Sequence, residues 1–474
     1  MQVLSRRTLL GSLLGGTVGL RGAERNCESV VQGEAWSRFR GANGSGIAAG
    51  GNFPIEFGPT RNVAWKRPFP PGKSSPVLTR TSIFLTAESD DLLKVISVDR
   101  GSGRTRWERS IKRLRKEYKN PLNDGASSSA VTDGVNVYAF FGDFGLISFD
   151  HSGRERWRTP MEAQSSLWGS ATSPVLAGDT VVLLLDGFGR SSVVGIDART
   201  GKRKWEVERA PFRFNYTTPL VRRSGAGCEV LTVSPNEITA YDPANGARRW
   251  SDTFPPGNMI GSPVMADSET VIAMVYAAEK APPFPDKDAD GMITSTDIPT
   301  DPKDWQMART LRVFADQLGD RDGKITAKEW ADFWRSVEGT PSILATGIGE
   351  RRGPLWSYTK SVARVATPLH YQNIVYFVNN GGILTALDSK TGAALKVGRL
   401  EGAIDNYYAS PVAADGRIYL ASETGKVAVV EAGPAWTVRV VNDLDEPCYA
   451  TPALSEGRVF VRTARTLYCF GRSA

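Results

Sequence analysis

A small residue followed by proline opens one apolar run after another along this chain. The pairs are Ser75-Pro76, Ser173-Pro174, Thr218-Pro219, Ser262-Pro263, Thr367-Pro368, Ser410-Pro411 and Thr451-Pro452, with Ser129-Ala130 standing in the second place. Successive second members lie 54, 44, 45, 44, 105, 43 and 41 residues apart. A period near 44 is the length of a four-stranded propeller blade. The clearest copy, Val365 to Lys396, runs from Thr-Pro through an apolar strand (Ile374 to Val378) to Gly381-Gly382. A second strand (Ile383 to Leu387), Asp388 and the turn Thr391-Gly392 complete it. The 48 glycines and 28 prolines suit many short strands joined by turns.

The end of the unit recurs as well: Asp99, Gly103 and Trp107; Asp150, Gly153 and Trp157; Asp197, Gly201 and Trp205; Asp242, Gly246 and Trp250. This reads as a hairpin in which Asp caps the turn and Gly takes the positive-φ position. Trp then lands on the next strand and fills the gap between blades. Lys396 replaces Trp in the sixth copy, which alters that contact there. The last copy, Tyr449 to Arg472, runs out before a fourth strand. The lone strand Val63 to Arg67 can supply it, and pairing the chain ends removes an open sheet edge. The expectation is an all-β fold: an eight-bladed propeller over residues 62–472, closed by an N-terminal strand and preceded by a Gly-rich lead-in at 26–61. Seven blades plus an arm is the alternative.

These motifs resemble the PQQ-type β-propeller repeat of quinoprotein dehydrogenases and of a bacterial outer-membrane assembly lipoprotein. The lead-in Trp36 to Gly46 and the tail segments Tyr408 to Gly416, Glu431 to Pro434 and Asn442 to Leu444 look like those of exported, PQQ-binding-like propellers. The resemblance to the enzymes implies a quinone held against an adjacent Cys-Cys pair and a Trp floor, a calcium ligated in the funnel, and an Asp base. This sequence has no Cys-Cys pair.

The long step of 105 marks an insertion at 280–340, in a loop of the fifth blade. Asp286-Lys287-Asp288-Ala289-Asp290-Gly291-Met292-Ile293, ending at Asp297, fits the EF-hand calcium loop. Asp286, Asp288, Asp290 and Asp297 supply carboxylates, Met292 a carbonyl, and Gly291 the sharp turn. Asp297 is one methylene shorter than the usual Glu, and Pro282, Pro283 and Pro285 forbid an entering helix. Thr300 to Gln317 reads as a helix with Trp305, Ala308, Leu311 and Phe314 on one face. A degenerate second loop follows, with Asp320, Asp322, Lys324 and Glu329 as candidate ligands and Leu318 in a position that cannot ligate. Thr326 and Glu329 form a capping box for a helix through Trp330 and Trp334. Ile293 and Ile325 should pair between the loops.

Residues 1–25 read as an export signal: Ser5-Arg6-Arg7-Thr8-Leu9-Leu10 resembles the twin-arginine motif, and Leu9 to Leu20 is too short and Gly-rich to span a membrane. An ordinary secretory signal is the other reading. Cys27, Cys228, Cys448 and Cys469 form no CxxC; Cys448 and Cys469 either pair within one repeat or stay as buried thiols. His151 and His370 have no ligand partners nearby in sequence and read as structural. The formal charge of +7 is scattered, with no basic stripe interleaved with aromatics, which argues against nucleic acid. No phosphate loop or G-x-S-x-G elbow appears. The expected function is therefore a non-catalytic periplasmic or cell-envelope scaffold binding a protein or polysaccharide, with Ca2+ in the insertion. PQQ-dependent alcohol or sugar oxidation and outer-membrane protein assembly are the rival readings.

Overall fold

Each apolar run is long enough for one strand and is bounded by Gly, Asp or Pro, so the chain folds as consecutive antiparallel hairpins. The computed structural model describes Cys27 and residues 36–471, except positions 118, 163–165, 167, 188–189, 211–214, 226, 278–279, 318–319 and 321. The expected export signal lies outside these residues. Among them are eight four-stranded sheets, each a blade, and one two-stranded ribbon. Blade one runs Val77–Leu78, Ser82–Ser89, Leu92–Asp99 and Thr105–Lys112. Six further blades follow the same plan in chain order. The eighth takes Ala453–Ser455, Arg458–Arg462 and Thr466–Phe470 from the C-terminus and Val63–Pro68 from the N-terminus. Trp65 pairs with Cys469 and Lys66 with Tyr468 across that closure. The seven-bladed alternative is thereby set aside.

The seam between blades is built from the Asp-Gly-Trp signature. Asp99 Oδ1 accepts the Ser102 N–H at 2.8 Å, and Gly103 sits at φ 72°. The Trp does not fill its own hairpin but lies on the turn glycine of the following blade. Trp65 lies on Gly103, Trp107 on Gly153, Trp157 on Gly201 and Trp205 on Gly246. Each indole N–H also donates to that blade: Trp157 to Ala198 O at 3.0 Å and Trp205 to Pro243 O at 2.9 Å. Trp356 does the same to Ser389 O at 2.9 Å. In blade six, Lys396 reaches the Trp436 ring, Nζ lying 4.3 Å from its centroid.

The lead-in does not trail outside the disc. It crosses the axis and bonds to inner strands on opposite sides. Trp36 O accepts from Leu78 N in blade one and Ser37 O from Thr132 N in blade two. Arg38 donates to Pro219 O in blade four, and Arg40 to Thr367 O and Pro368 O in blade six. Arg40 is fully buried, and burial pulls its guanidinium down to about 9. Cys27 forms a disulfide with Cys228 of blade four. Cys448 and Cys469 are both buried free thiols, so the pairing within the last repeat does not form. They lie in one apolar cluster with Trp65 and Phe460, where desolvation disfavours the thiolate.

The insertion leaves blade five after Val275 and rejoins it at Ser342. Its ribbon pairs Ile293 with Ile325. Helix α1, Trp305–Gln317, begins later than the sequence pattern suggested, because Pro302–Asp304 forms a 3₁₀ turn ahead of it. Helix α2, Ala327–Val337, carries the capping box of Thr326 and Glu329. Ile293, Leu311, Phe314, Ile325, Trp330 and Phe333 form its small core, against which Ala171 and Ile260 of the propeller pack. Among the described residues, no helix is long and apolar enough to cross a membrane.

Candidate functional site

The eight small residues that open the blades meet at the axis and form a closed hydrogen-bonded circle. Ser75 N donates to Ser129 Oγ, Ser129 N to Ser173 Oγ, and Ser173 N to Thr218 Oγ1. Thr218 N then donates to Ser262 Oγ, Ser262 N to Thr367 Oγ1, and Thr367 N to Ser410 Oγ. Ser410 N to Thr451 Oγ1 and Thr451 N to Ser75 Oγ complete the circle, each at 3.0 Å. The small-Pro pair has a physical reason: the hydroxyl accepts the previous blade's N–H, and proline needs no N–H partner as the strand begins.

Above this circle lies a funnel of about 370 Å³, with Phe39 of the lead-in against it. The residue two places before each opening residue also lines it: Lys73, Ser127, Ala171, Tyr216, Ile260, Val365, Tyr408 and Tyr449. Extended backbone puts positions two apart on one face, so both rings point inward. Asn120, Asn123 and Trp168 from the interblade loops, Asn380, Arg364 and Tyr276 complete the polar and aromatic lining. Lys73 Nζ lies 4.6 Å from the Tyr449 ring centroid and Arg364 5.7 Å from that of Tyr276. Tyr408 and Tyr449 stack at 5.7 Å. Burial holds the Lys73 ammonium below its ordinary value, against the opposing charges of Asp124, Glu88 and Glu423. Among the described residues, the lining contains no Asp, Glu, His or Cys. None of the funnel residues figured among the sequence candidates, although the repeat register placed them: counting back two from each opening residue finds one ring.

The second candidate is the acidic loop of the insertion. Asp286, Asp288 and Asp290 each offer a carboxylate oxygen within 4.8 Å of the others. Local N–H groups orient them: Gly291 N donates to Asp286 and Met292 N to Asp290, both at 2.8 Å. The Asp290 N–H stabilises the Asp288 carboxylate, but desolvation and the charges of Asp290 and Asp297 outweigh it, so Asp288 titrates above its ordinary value. Asp297 does not join that cluster. It is buried and accepts Lys287 N and Thr294 N at 2.8 Å, which hold its carboxyl low. In the second loop, Glu329 is occupied by the cap, accepting Thr326 N at 2.8 Å, and also takes Asp320 N at 3.3 Å. Asp320 and Asp322 accept from Asp322 N and Lys324 N, and no three-carboxylate group forms there among the described residues. His151 and His370 lie outside the funnel lining, and burial lowers both imidazoles.

A family model described as outer membrane protein assembly factor BamB matches residues 93–305. No curated protein matches the chain. Among solved structures, BamB from Moraxella catarrhalis is similar at 12% identity and TM-score 0.55, covering 86% of this chain and 98% of that one. A europium-containing methanol dehydrogenase is similar at 10% identity and TM-score 0.57, covering 94% and 99%. A computationally designed protein, Ika8, is similar at 11% identity and TM-score 0.53, covering 86% and 98%. At these identities the likeness is one of fold. With eight four-stranded blades of one plan, the chain is an eight-bladed β-propeller, and the family match spans residues 93–305 of it.

Proposed function

We propose that this protein is an exported, non-catalytic binding module of the cell envelope, presenting its funnel face to a protein or polysaccharide, with calcium held by an EF-hand-type loop in the insertion. The observation that carries the reading is the funnel lining: two cations, a hydroxyl circle and aromatic rings, with, among the described residues, no lining carboxylate, imidazole or thiol to act as base or nucleophile. A quinone held as in the alcohol dehydrogenases does not fit the described residues, whose lining offers neither a Cys pair nor a carboxylate for a funnel calcium. The Cys27–Cys228 disulfide supports an oxidising compartment outside the cytosol. A role beside outer-membrane protein assembly is one version of the protein-partner reading, and the family match favours it.

For calcium, Asp286, Asp288 and Asp290 form the donor set, three carboxylates whose mutual repulsion a cation relieves. Asp297 closes the loop through backbone N–H groups rather than joining the cluster. The testing experiments are a dye-reduction assay with added quinone and calcium, and calcium calorimetry on wild type and Asp286→Ala. The reading expects no turnover, and a binding heat that the substitution abolishes. Quinone-dependent turnover would overturn the non-catalytic reading, and equal heats would overturn the calcium site.

A further inference from the structure

The funnel lining is rich in donors that lack acceptors. Seven of the circle's hydroxyls line it, Ser75, Ser173, Thr218, Ser262, Thr367, Ser410 and Thr451, and each is only 2–8% exposed. Every one accepts a backbone N–H, yet among the described residues none donates its proton to a protein acceptor. The carbonyl oxygens of Asn120 and Asn380 are taken by Leu122 N and Tyr407 N at 2.9 and 3.1 Å, which leaves their amide N–H groups for a ligand. Lys73 and Arg364 lie over tyrosine rings, and among the described residues neither makes an ion pair. The circle's hydroxyls are buried donors, and a buried donor left unmatched costs free energy, so a ligand gains most here by bringing acceptors; negative charge on it would meet Arg364 and Lys73, the latter already facing Asp124, Glu88 and Glu423.

We propose that the funnel binds the end of an acidic saccharide chain, its carboxylates met by Lys73 on one side of the axis and Arg364 on another and its ring oxygens by the hydroxyl circle. This rests on the binding-module reading and names the ligand class of that site. The lead-in closes the axis beneath Phe39, so the funnel admits a chain end rather than a strand passing through. Trp168 and Tyr408 supply ring faces for the apolar side of a sugar, and a volume of about 370 Å³ suits a unit or two of such a chain.

The test is calorimetry with trigalacturonate, its methyl ester and a tri-aspartate peptide, on wild type, Lys73→Met, Arg364→Gln and Arg364→Lys. The acidic saccharide should bind at least about tenfold more tightly than the ester, and each neutral substitution should weaken it by about tenfold. Arg364→Lys should retain part of the affinity. Arg364 is exposed, so its variants keep the test open should Lys73→Met fail to fold. Equal binding of the ester, equal or tighter binding of the peptide, or no saccharide binding at millimolar concentration would each overturn the proposal. A silent dye-reduction assay alongside a negative calorimetry result removes only the ligand class, whereas turnover removes the binding-module reading itself.

Discussion

Gly178 and Gly201 both belong to blade three and both adopt positive φ, 62° and 73°. Their surroundings differ. A Cβ at Gly178 would meet nothing within 4 Å, whereas one at Gly201 would lie 2.6 Å from Trp157 Cδ2. Gly178→Ala therefore carries only the left-handed backbone strain, about 1–2 kcal/mol. Gly201→Ala adds an overlap with a tryptophan locked between blades, itself about 1–3 kcal/mol, for a total of about 2–5 kcal/mol. Trp157→Ala removes a large buried ring and costs about 3–5 kcal/mol alone. In that background the overlap is gone, and Gly201→Ala should cost only the backbone strain, about 1–2 kcal/mol. Denaturant midpoints for the four variants give the coupling directly. Equal losses for the two glycine substitutions, or strict additivity of Trp157 and Gly201, would refute the seam described above.

Thr218→Val keeps the shape of the hydroxyl circle but leaves the buried Ser173 N–H without its 3.2 Å acceptor. It should lower stability by about 1–3 kcal/mol in a denaturant titration, while Thr218→Ser should cost much less. Burial pushes the thiols of Cys448 and Cys469 up to about 12, so a thiol reagent at mildly alkaline pH should leave the native protein unlabelled and modify both after denaturation without reductant. The turn carboxylates Asp150, Asp197 and Asp388 are held below their ordinary value of 3.8 by the hydroxyls of Ser152, Thr200 and Thr391. Their stabilisation is present above that value and disappears as pH falls through the lowered folded-state values. Thermal midpoints should therefore be flat near neutrality and decline below about pH 4.

The blade plan was legible because a blade is local. Strand, Asp-capped turn and strand follow one another within some 44 residues, so their hydrophobic pattern and turn chemistry repeat in the chain itself. Even the closing strand could be read, since a truncated eighth copy and an unpaired Val63 to Arg67 strand complement each other. The triplet Asp286, Asp288 and Asp290 was equally visible, because carboxylates two residues apart on one loop are neighbours before anything folds. What escaped were relations across the axis. Nothing near Cys27 names Cys228, which lies 201 residues away, and of the two readings left open for Cys448 and Cys469 the structure has the buried thiols. The Trp of each turn was read as filling the gap between blades, and it does so, but only the structure shows that it packs on the next blade's glycine. The hydroxyl circle, the lead-in buried beneath it and the shared funnel of Lys73 and Arg364 exist only once eight similar sheets surround one axis. Sequence alone determined the repeating unit, whose contacts are short-range. The tertiary structure decided the site, because closing the ring brings together side chains that the chain itself holds far apart.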